Sequence, residues 1–241
     1  MNEKWEKLQE MLDSSKNIVF FGGAGVSTES NIPDFRSEDG IYQKKTFRYP
    51  PEVMLSHDFY ENHTEDFFDF YETMLFPDAK PNPAHFKLAQ WEKEGKLKAV
   101  VTQNIDGLHQ LAGSKNVFEL HGSVHRNYCS RCGEFYDLTP ILNAHGGIPR
   151  CEKCGAVIKP DVVLYGEGLD NNVINGAVNA IREADMLIVG GTSLVVYPAA
   201  GLVNYYHGDK LVLINRDATS YDSKADLVIS DPIGKVLDAM K

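Results

Sequence analysis

Lys98-Ala99-Val100-Val101-Thr102-Gln103-Asn104-Ile105-Asp106-Gly107 is the stretch on which the reading of the fold turns. Its opening run, up to Val101, is short and apolar and reads as a buried strand. Polar groups set immediately beyond the carboxyl end of a parallel strand lie where open α/β sheets bind ligands. The amides of Gln103 and Asn104, the carboxylate of Asp106 and the imidazole of His121, fifteen residues after Asp106, together make a candidate catalytic set. Taken alone, the stretch also fits a polar strand-to-helix turn beside a core histidine.

Outward from it, the same pattern repeats. Ile18-Val19-Phe20-Phe21 runs into Gly22-Gly23-Ala24-Gly25-Val26-Ser27, and Met186-Leu187-Ile188-Val189 into Gly190-Gly191-Thr192-Ser193. Leu211-Val212-Leu213-Ile214 ends in Asn215-Arg216, and Leu227-Val228-Ile229 in Ser230-Asp231. Helical patterns separate these runs: Trp5, Leu8, Met11 and Leu12 between Asn2 and Ser15, a helix with Leu88 and Trp91, another from Asn171 to Glu183, and a closing one with Ile233, Val236 and Leu237. Buried strands alternating with helices describe an α/β protein with a doubly wound parallel sheet, Rossmann-like in type. The Gly-rich turn after Phe21 matches the dinucleotide fingerprint only in part. Gly23 and Gly25 fit the first two glycines, the third position is Thr28, and no acidic strand end follows at the usual distance. A plain tight turn is the alternative there.

The other segments are distinct in character. Pro33-Asp34-Phe35-Arg36 lies in a polar loop whose arginine could clamp a phosphate and whose aromatic could stack on a ring; a salt-bridged surface loop is the alternative. The acidic, aromatic stretch from Ser56 to Phe76 reads as helix core. All four cysteines, Cys129, Cys132, Cys151 and Cys154, fall in one C-x2-C-x18-C-x2-C array. That is the spacing of a two-knuckle tetrahedral zinc site, a closed shell that holds structure rather than doing chemistry; a redox or vestigial site is the alternative.

Composition narrows the field. The 241 residues are 43% hydrophobic and 24% charged, as in ordinary globular proteins. A formal charge of −10 argues against non-specific nucleic-acid binding. With no apolar run of membrane-spanning length and no signal-peptide core, the expectation is a cytoplasmic protein with no membrane partner.

Read together, Gly23-Ala24-Gly25-Val26-Ser27, Pro33-Asp34-Phe35-Arg36, Thr102-Gln103-Asn104-Ile105-Asp106, Leu120-His121-Gly122, the cysteine array, Gly191-Thr192-Ser193 and Ile214-Asn215-Arg216 occur in the order seen in sirtuins, the NAD-dependent protein lysine deacylases. The chain resembles the compact bacterial and archaeal members over nearly its whole length. The resemblance implies a single catalytic core over 1–241. Its large Rossmann-like part would comprise 1–35, 80–125 and 160–241. A small subdomain would arise from a helical insertion at 36–79 and a zinc-binding one at 126–159.

The resemblance also implies roles. Gly23, Ala24, Gly25, Ser27 and Thr28 would line the phosphate and ribose site of NAD. Asp34, Phe35 and Arg36 would sit on a mobile cofactor loop, within Glu29–Tyr49, with Phe35 over the nicotinamide pocket. Gln103 and Asn104 would hold the adjacent ribose, while Ile105 and Asp106 receive the carboxamide. Gly191, Thr192, Ser193 and Asn215 would contact the adenosine half and phosphates, with Ile233 near the adenine. Val162, Val163, Leu164 and Gly166 would flank an acyl-lysine peptide opposite Val195 and Tyr197, by added β-pairing. His121 would be the general base, with Asn104 beside it, in transfer of an acetyl group from lysine to ADP-ribose. Nicotinamide, free lysine and O-acetyl-ADP-ribose would be the products, and nicotinamide an inhibitor.

Two departures from the family pattern stand out. Val26 replaces a common isoleucine, and Val162-Val163-Leu164-Tyr165-Gly166-Glu167 stands where many members carry Val-Phe-Phe-Gly-Glu. No Tyr-x-x-Arg pair, the mark of members preferring succinyl or malonyl groups, occurs between Ile41 and Leu75, so neutral acyl groups such as acetyl are expected. The alternatives are protein ADP-ribosyl transfer and a non-catalytic module that binds NAD or acyl-peptides.

Overall fold

The computed structural model describes residues 2–35, 40 and 47–241. In chain order the strands are β1 (Ile18–Gly22), β2 (Leu97–Thr102), β3 (Val117–Glu119), β4 (Gly122–Cys129), β5 (Phe135–Tyr136), β6 (Ile158–Val162), β7 (Met186–Gly190), β8 (Leu211–Ile214) and β9 (Leu227–Ile229). The helices are α1 (Glu3–Asp13), α2 (Pro51–Met54), α3 (His57–Asn62), α4 (Thr64–Glu72), α5 (Pro83–Lys93), α6 (Leu108–Ala112), α7 (Thr139–Asn143), α8 (Asn171–Glu183) and α9 (Ile233–Asp238).

Six strands form one sheet in the order β3-β2-β1-β7-β8-β9. Every pairing in it is parallel. Side chains alternate faces along a strand, and both faces here are covered, which is why the strands read as unbroken apolar runs. Ile18 and Phe20 pack with Leu8, Leu12, Leu88, Trp91 and Val236 from α1, α5 and α9. Val19 and Phe21 point the other way, onto Ala177 and Ile181 of α8 and onto Leu202 and Val203. Burying each such side chain contributes about 1.5–3 kcal/mol. Local signals start the helices: Asn2 Oδ1 caps α1 by accepting the Trp5 N–H at 3.0 Å, and Asp170 accepts from Asn172 and Val173 to start α8.

From β1 the chain winds outward through β2 and β3, then returns to β7, β8 and β9 on the other side. The winding direction therefore reverses between β1 and β7, and the crevice beyond their carboxyl ends is the expected ligand site.

The second sheet, β5-β4-β6, is antiparallel. It shares a core with the aromatic helices: Phe59, Tyr60, Phe67, Phe68, Phe70 and Tyr71 are buried with Ile158 and Leu164. Those aromatics fall on two helices, because the chain bends at His63 between α3 and α4. Gly122 starts β4 at φ +76, where any Cβ would collide with the Asp161 carbonyl of β6. Arg126 of β4 bridges the two sheets, donating to Glu119 Oε2 of β3 at 2.5 Å and to Asp161 Oδ2 of β6 at 2.8 Å. His121 occupies the crossing between the sheets. Among the described residues, no helix is long and apolar enough to cross a membrane.

Candidate active site

A cavity of about 710 Å³ opens at the carboxyl ends of β1, β2, β7 and β8, bounded on its far side by the second sheet and its helices. Two glycine turns make its floor. Gly23 N–H donates to Gly190 O at 3.2 Å and Gly25 N–H to Gly191 O at 2.8 Å. A Cβ on Gly23 would lie 2.7 Å from Thr192 Cβ, and one on Gly25 would lie 2.8 Å from Gly191 Cα. The turn after β1 thus fits against the turn after β7 only without side chains. Behind it, the buried Asn82 donates from Nδ2 to Val26 O at 2.7 Å and to Ser30 Oγ at 3.0 Å.

One hydrogen-bonded network joins the strand ends. Gln103 Nε2 donates to Thr192 Oγ1 at 2.9 Å, and the Thr192 N–H donates to Asn215 Oδ1 at 2.8 Å. Asn104 Nδ2 donates to Ser27 Oγ at 3.1 Å, and that hydroxyl donates to Asp106 Oδ2 at 2.6 Å. The second Asp106 oxygen accepts the Leu108 N–H at 2.9 Å. Burial pushes the Asp106 carboxyl up from its ordinary value, and the bonds from Ser27 and Leu108 oppose that shift. Asn215 Nδ2 is buried and has no hydrogen-bond partner among the described residues.

His121 Nδ1 lies 3.0 Å from Gln103 O. A carbonyl can only accept, so Nδ1 carries the proton and Nε2 is the free base nitrogen of the neutral ring. Burial pulls the His121 pKa below its ordinary value, partly offset by this bond. The His121 carbonyl in turn accepts the Val163 N–H at 3.0 Å, so this imidazole and the Val163 segment are linked through one residue.

The Sir2 family model matches residues 23–198. The chain belongs to the Sir2 family. It is 66% identical over 240 residues to the NAD-dependent protein deacetylase of Clostridium acetobutylicum, covering 99% of this chain and 98% of that one. Against the protein of the same description from Staphylococcus aureus the identity is 45%, over 100% and 99% of the two chains. A solved Sir2 complex with a p53 peptide and NAD+ superposes with a TM-score of 0.85 at 38% identity, covering 97% of this chain and 95% of that one. A Sir2 protein bound to a propionylated peptide gives a TM-score of 0.84 at 38% identity, with the same coverage.

In this Sir2 family member the cavity wall takes in most residues singled out from the sequence. Gly23, Ala24, Gly25, Ser27 and Thr28 line it beside Gly191, Thr192, Ser193, Asn215 and Ile233. Asp34, Phe35, Gln103, Asn104, Ile105, Asp106 and His121 form the middle, and Val162, Val163, Leu164, Gly166 and Tyr197 the rim toward the second sheet. Val195 is 57% exposed and is not part of the wall. Arg36 lies outside the described residues, as does part of the 29–49 loop.

The four cysteine sulfurs all lie within 4.8 Å of one another, away from that cavity. Sulfurs at about 2.3 Å from a tetrahedral zinc stand about 3.8 Å apart. The Cys129–Cys154, Cys132–Cys151 and Cys132–Cys154 sulfur separations are 3.4, 3.7 and 3.7 Å, so the donor set fits one zinc ion. Both knuckles close alike. Gly133 and Gly155, at φ +70 and +73, donate to Cys129 O and Cys151 O at 3.0 and 2.8 Å. Arg131 and Cys132 N–H groups each reach Cys129 Sγ at 3.4 Å, and Tyr136 Oη donates to Cys151 Sγ at 3.3 Å.

Several cavity residues escaped the sequence reading. His125 lines the wall and sets its Nε2 3.0 Å from Asp106 O. Its four-residue spacing from His121 was the available signal. Glu29 also lines it, accepting the Gly234 N–H at 2.7 Å and so closing α9 onto the glycine turn. Leu55, Met74, Phe76, Val124 and Leu138 make an apolar wall that only the tertiary fold assembles.

Proposed function

We propose that this chain is an NAD-dependent protein lysine deacetylase, passing the acetyl group of acetyl-lysine to ADP-ribose with release of nicotinamide. The observation that carries the reading is His121: a neutral imidazole of fixed tautomer, on the wall of a cavity shared by the glycine cradle and the Val162–Gly166 segment. The relatives named NAD-dependent protein deacetylase match over nearly the whole chain.

The residues present fit a dinucleotide. Interlocked glycines let backbone come close to phosphates, and Asn215 Nδ2, without a partner among the described residues, supplies a donor. Bound NAD supplies the ribose carbon that accepts the acyl oxygen, and nicotinamide is the leaving group. Gly23, Ala24, Gly25, Ser27 and Thr28 bind the phosphate side, and Gly191, Thr192, Ser193, Asn215 and Ile233 the adenosine half. Gln103 and Asn104 orient the inner ribose; Ile105 and Asp106 hold the carboxamide; Asp34, Phe35 and Arg36 cover it and exclude water. His121 takes a ribose hydroxyl proton at Nε2, which a ring below its ordinary pKa is ready to do at neutral pH.

Val162, Val163, Leu164 and Gly166 on one side, with Val195 and Tyr197 on the other, hold the acyl-lysine peptide. The apolar wall of Leu55, Met74, Phe76 and Leu138 favours neutral acyl groups. One zinc ion on Cys129, Cys132, Cys151 and Cys154 holds the small subdomain, built from 36–79 and 126–159, against a large part of 1–35, 80–125 and 160–241. We place the protein in the cytoplasm, with nicotinamide as an inhibitor and without nucleic-acid or membrane partners.

Mass spectrometry of one reaction holding protein, NAD and an acetyl-lysine peptide tests this. Equal yields of nicotinamide, deacetylated peptide and O-acetyl-ADP-ribose are expected. Nicotinamide released while the peptide stays acetylated would replace the reading with ADP-ribosyl transfer or NAD hydrolysis. No NAD consumption would leave a binding module.

A further inference from the structure

Leu164 is tied to Glu167 from both sides of its peptide unit. Its carbonyl accepts the Glu167 N–H at 2.9 Å, and its own N–H donates to Glu167 Oε2 at 2.9 Å. Gly166, at φ +91, allows the tight turn between them. The same carboxylate reaches two other elements. His57 Nδ1, at the start of α3, lies 2.9 Å from Oε1, and Lys159 Nζ of β6 lies 3.1 Å from it. On the other flank, the Tyr165 N–H donates to Leu55 O and the His57 N–H to Tyr165 O, each at 2.9 Å. Together with the bond from the Val163 N–H to His121 O, this means that the N–H groups of Val163, Leu164 and Tyr165 are all consumed inside the chain.

Two consequences follow. An incoming strand that pairs with Val163–Tyr165 must donate to their carbonyls, of which those of Leu164 and Tyr165 already accept one bond each from Glu167 and His57 and keep one lone pair, so the orientation of those carbonyls decides affinity. Glu167, through its grip on Leu164, fixes that orientation while standing on the cavity wall. Resting on the reading of Val162–Gly166 as the acyl-peptide site, we infer that Glu167 is a positioning residue that presets the peptide-binding segment. Its acceptor oxygen on Leu164 N–H makes the main contribution. The contact with His57 and the ion pair with Lys159 are partly solvated and add less.

The test compares Glu167→Ala and Glu167→Gln with the native chain by steady-state kinetics, and by calorimetric titration of an acetyl-lysine peptide into protein without NAD. For Glu167→Ala, peptide KM and Kd should rise about tenfold or more, with kcat and the KM for NAD within about twofold. Glutamine keeps an acceptor for Leu164 and should restore peptide Kd to within about threefold of native. An unchanged Kd in Glu167→Ala overturns the role, as does a fall in kcat with a rise in the KM for NAD, which would mark general disruption. Glutamine as damaging as alanine overturns the assignment to the Leu164 bond. A native chain that binds peptide without turnover would count against the deacetylase reading and leave the Glu167 comparison intact; one that binds no peptide overturns both.

Discussion

The imidazole of His121 donates its Nδ1 proton to the main-chain carbonyl of Gln103 across 3.0 Å. Because Gln103 also donates its side chain to Thr192, one residue holds this imidazole and joins β2 to the turn after β7. As the proposed general base, His121 must be neutral, so activity falls as pH drops through its pKa. Burial holds that pKa below the ordinary histidine value. The acid limb of kcat/KM should therefore lie below about pH 6.5, with a flat profile above it. His121→Ala should lower deacetylation by about 100- to 10,000-fold with the melting temperature nearly unchanged. A limb centred above 6.5, or turnover within tenfold of native in the alanine variant, would remove the base assignment.

The cysteine site supports a prediction of another kind. Each thiolate belongs to a closed shell, and Cys151 also accepts from Tyr136 Oη. Cys151→Ser should reduce zinc content from one per chain to near zero and lower the melting temperature, since metal binding and folding are linked. The nearest part of the core, Ile158 and Leu138 packed against the α4 aromatics, should open first. Atomic emission on purified protein and thermal melts with and without a chelator read both effects. A zinc-free protein as stable as native would show that the metal holds nothing.

The parallel sheet was readable because its strands are covered on both faces, so that β1, β2, β7, β8 and β9 are continuous apolar words. The antiparallel sheet was not. β4 carries Ser123, His125, Arg126 and Asn127 between Gly122 and Cys129, a pattern with no apolar period. It is a strand because β6, some thirty residues on, pairs with it. Asn127 is fully buried there because Nδ2 donates to Val124 O and Asp137 O. The same holds at the site. Ser27, Asn104 and Asp106 could be named from their motifs, but the hydroxyl of Ser27 standing between the other two could not. The reach of Glu29 to Gly234, across 205 positions, leaves no local trace at all.

The glycine cradle gives a third test. In Gly25→Ala the new methyl group would sit 2.8 and 2.9 Å from Gly191 Cα and O. Both neighbours are backbone, and Gly191 is itself pinned at φ +59 with Val26 N beneath it. Neither turn can yield without moving the other, so overpacking should cost about 1–3 kcal/mol. If that cost falls on cofactor binding, the KM for NAD rises about five- to 150-fold. The proposed peptide side, along Val162–Gly166, should not notice. Steady-state titration of each substrate separates the two, and a change confined to peptide KM would contradict the cradle.

The last prediction concerns two histidines outside the cavity wall. His85 of α5 and His109 of α6 stand with ring centroids 4.7 Å apart and are almost fully buried. Asn82 N–H donates to His85 Nδ1 at 3.2 Å, so that nitrogen must stay unprotonated for α5 to keep its cap. Burial pulls His85 down to about 4, and burial followed by repulsion from His85 pulls His109 to about 3. The unfolded chain, with imidazoles near 6.5, takes up protons first as the medium is acidified. The stability these rings contribute is thus complete above pH 6.5 and is lost as pH falls from there toward 4 and 3. At pH 5 the loss is about 2 kcal/mol for each imidazole. Asn82 also holds Val26 O and Ser30 Oγ, so the glycine turn should loosen with the cap. Urea melts at pH 7.5 and 5.0 should show this fall. In His109→Phe, which keeps a ring in the same space, the difference between the two pH values should shrink by about 2 kcal/mol. An undiminished difference would mean that His109 titrates in the folded chain as it does in the unfolded one.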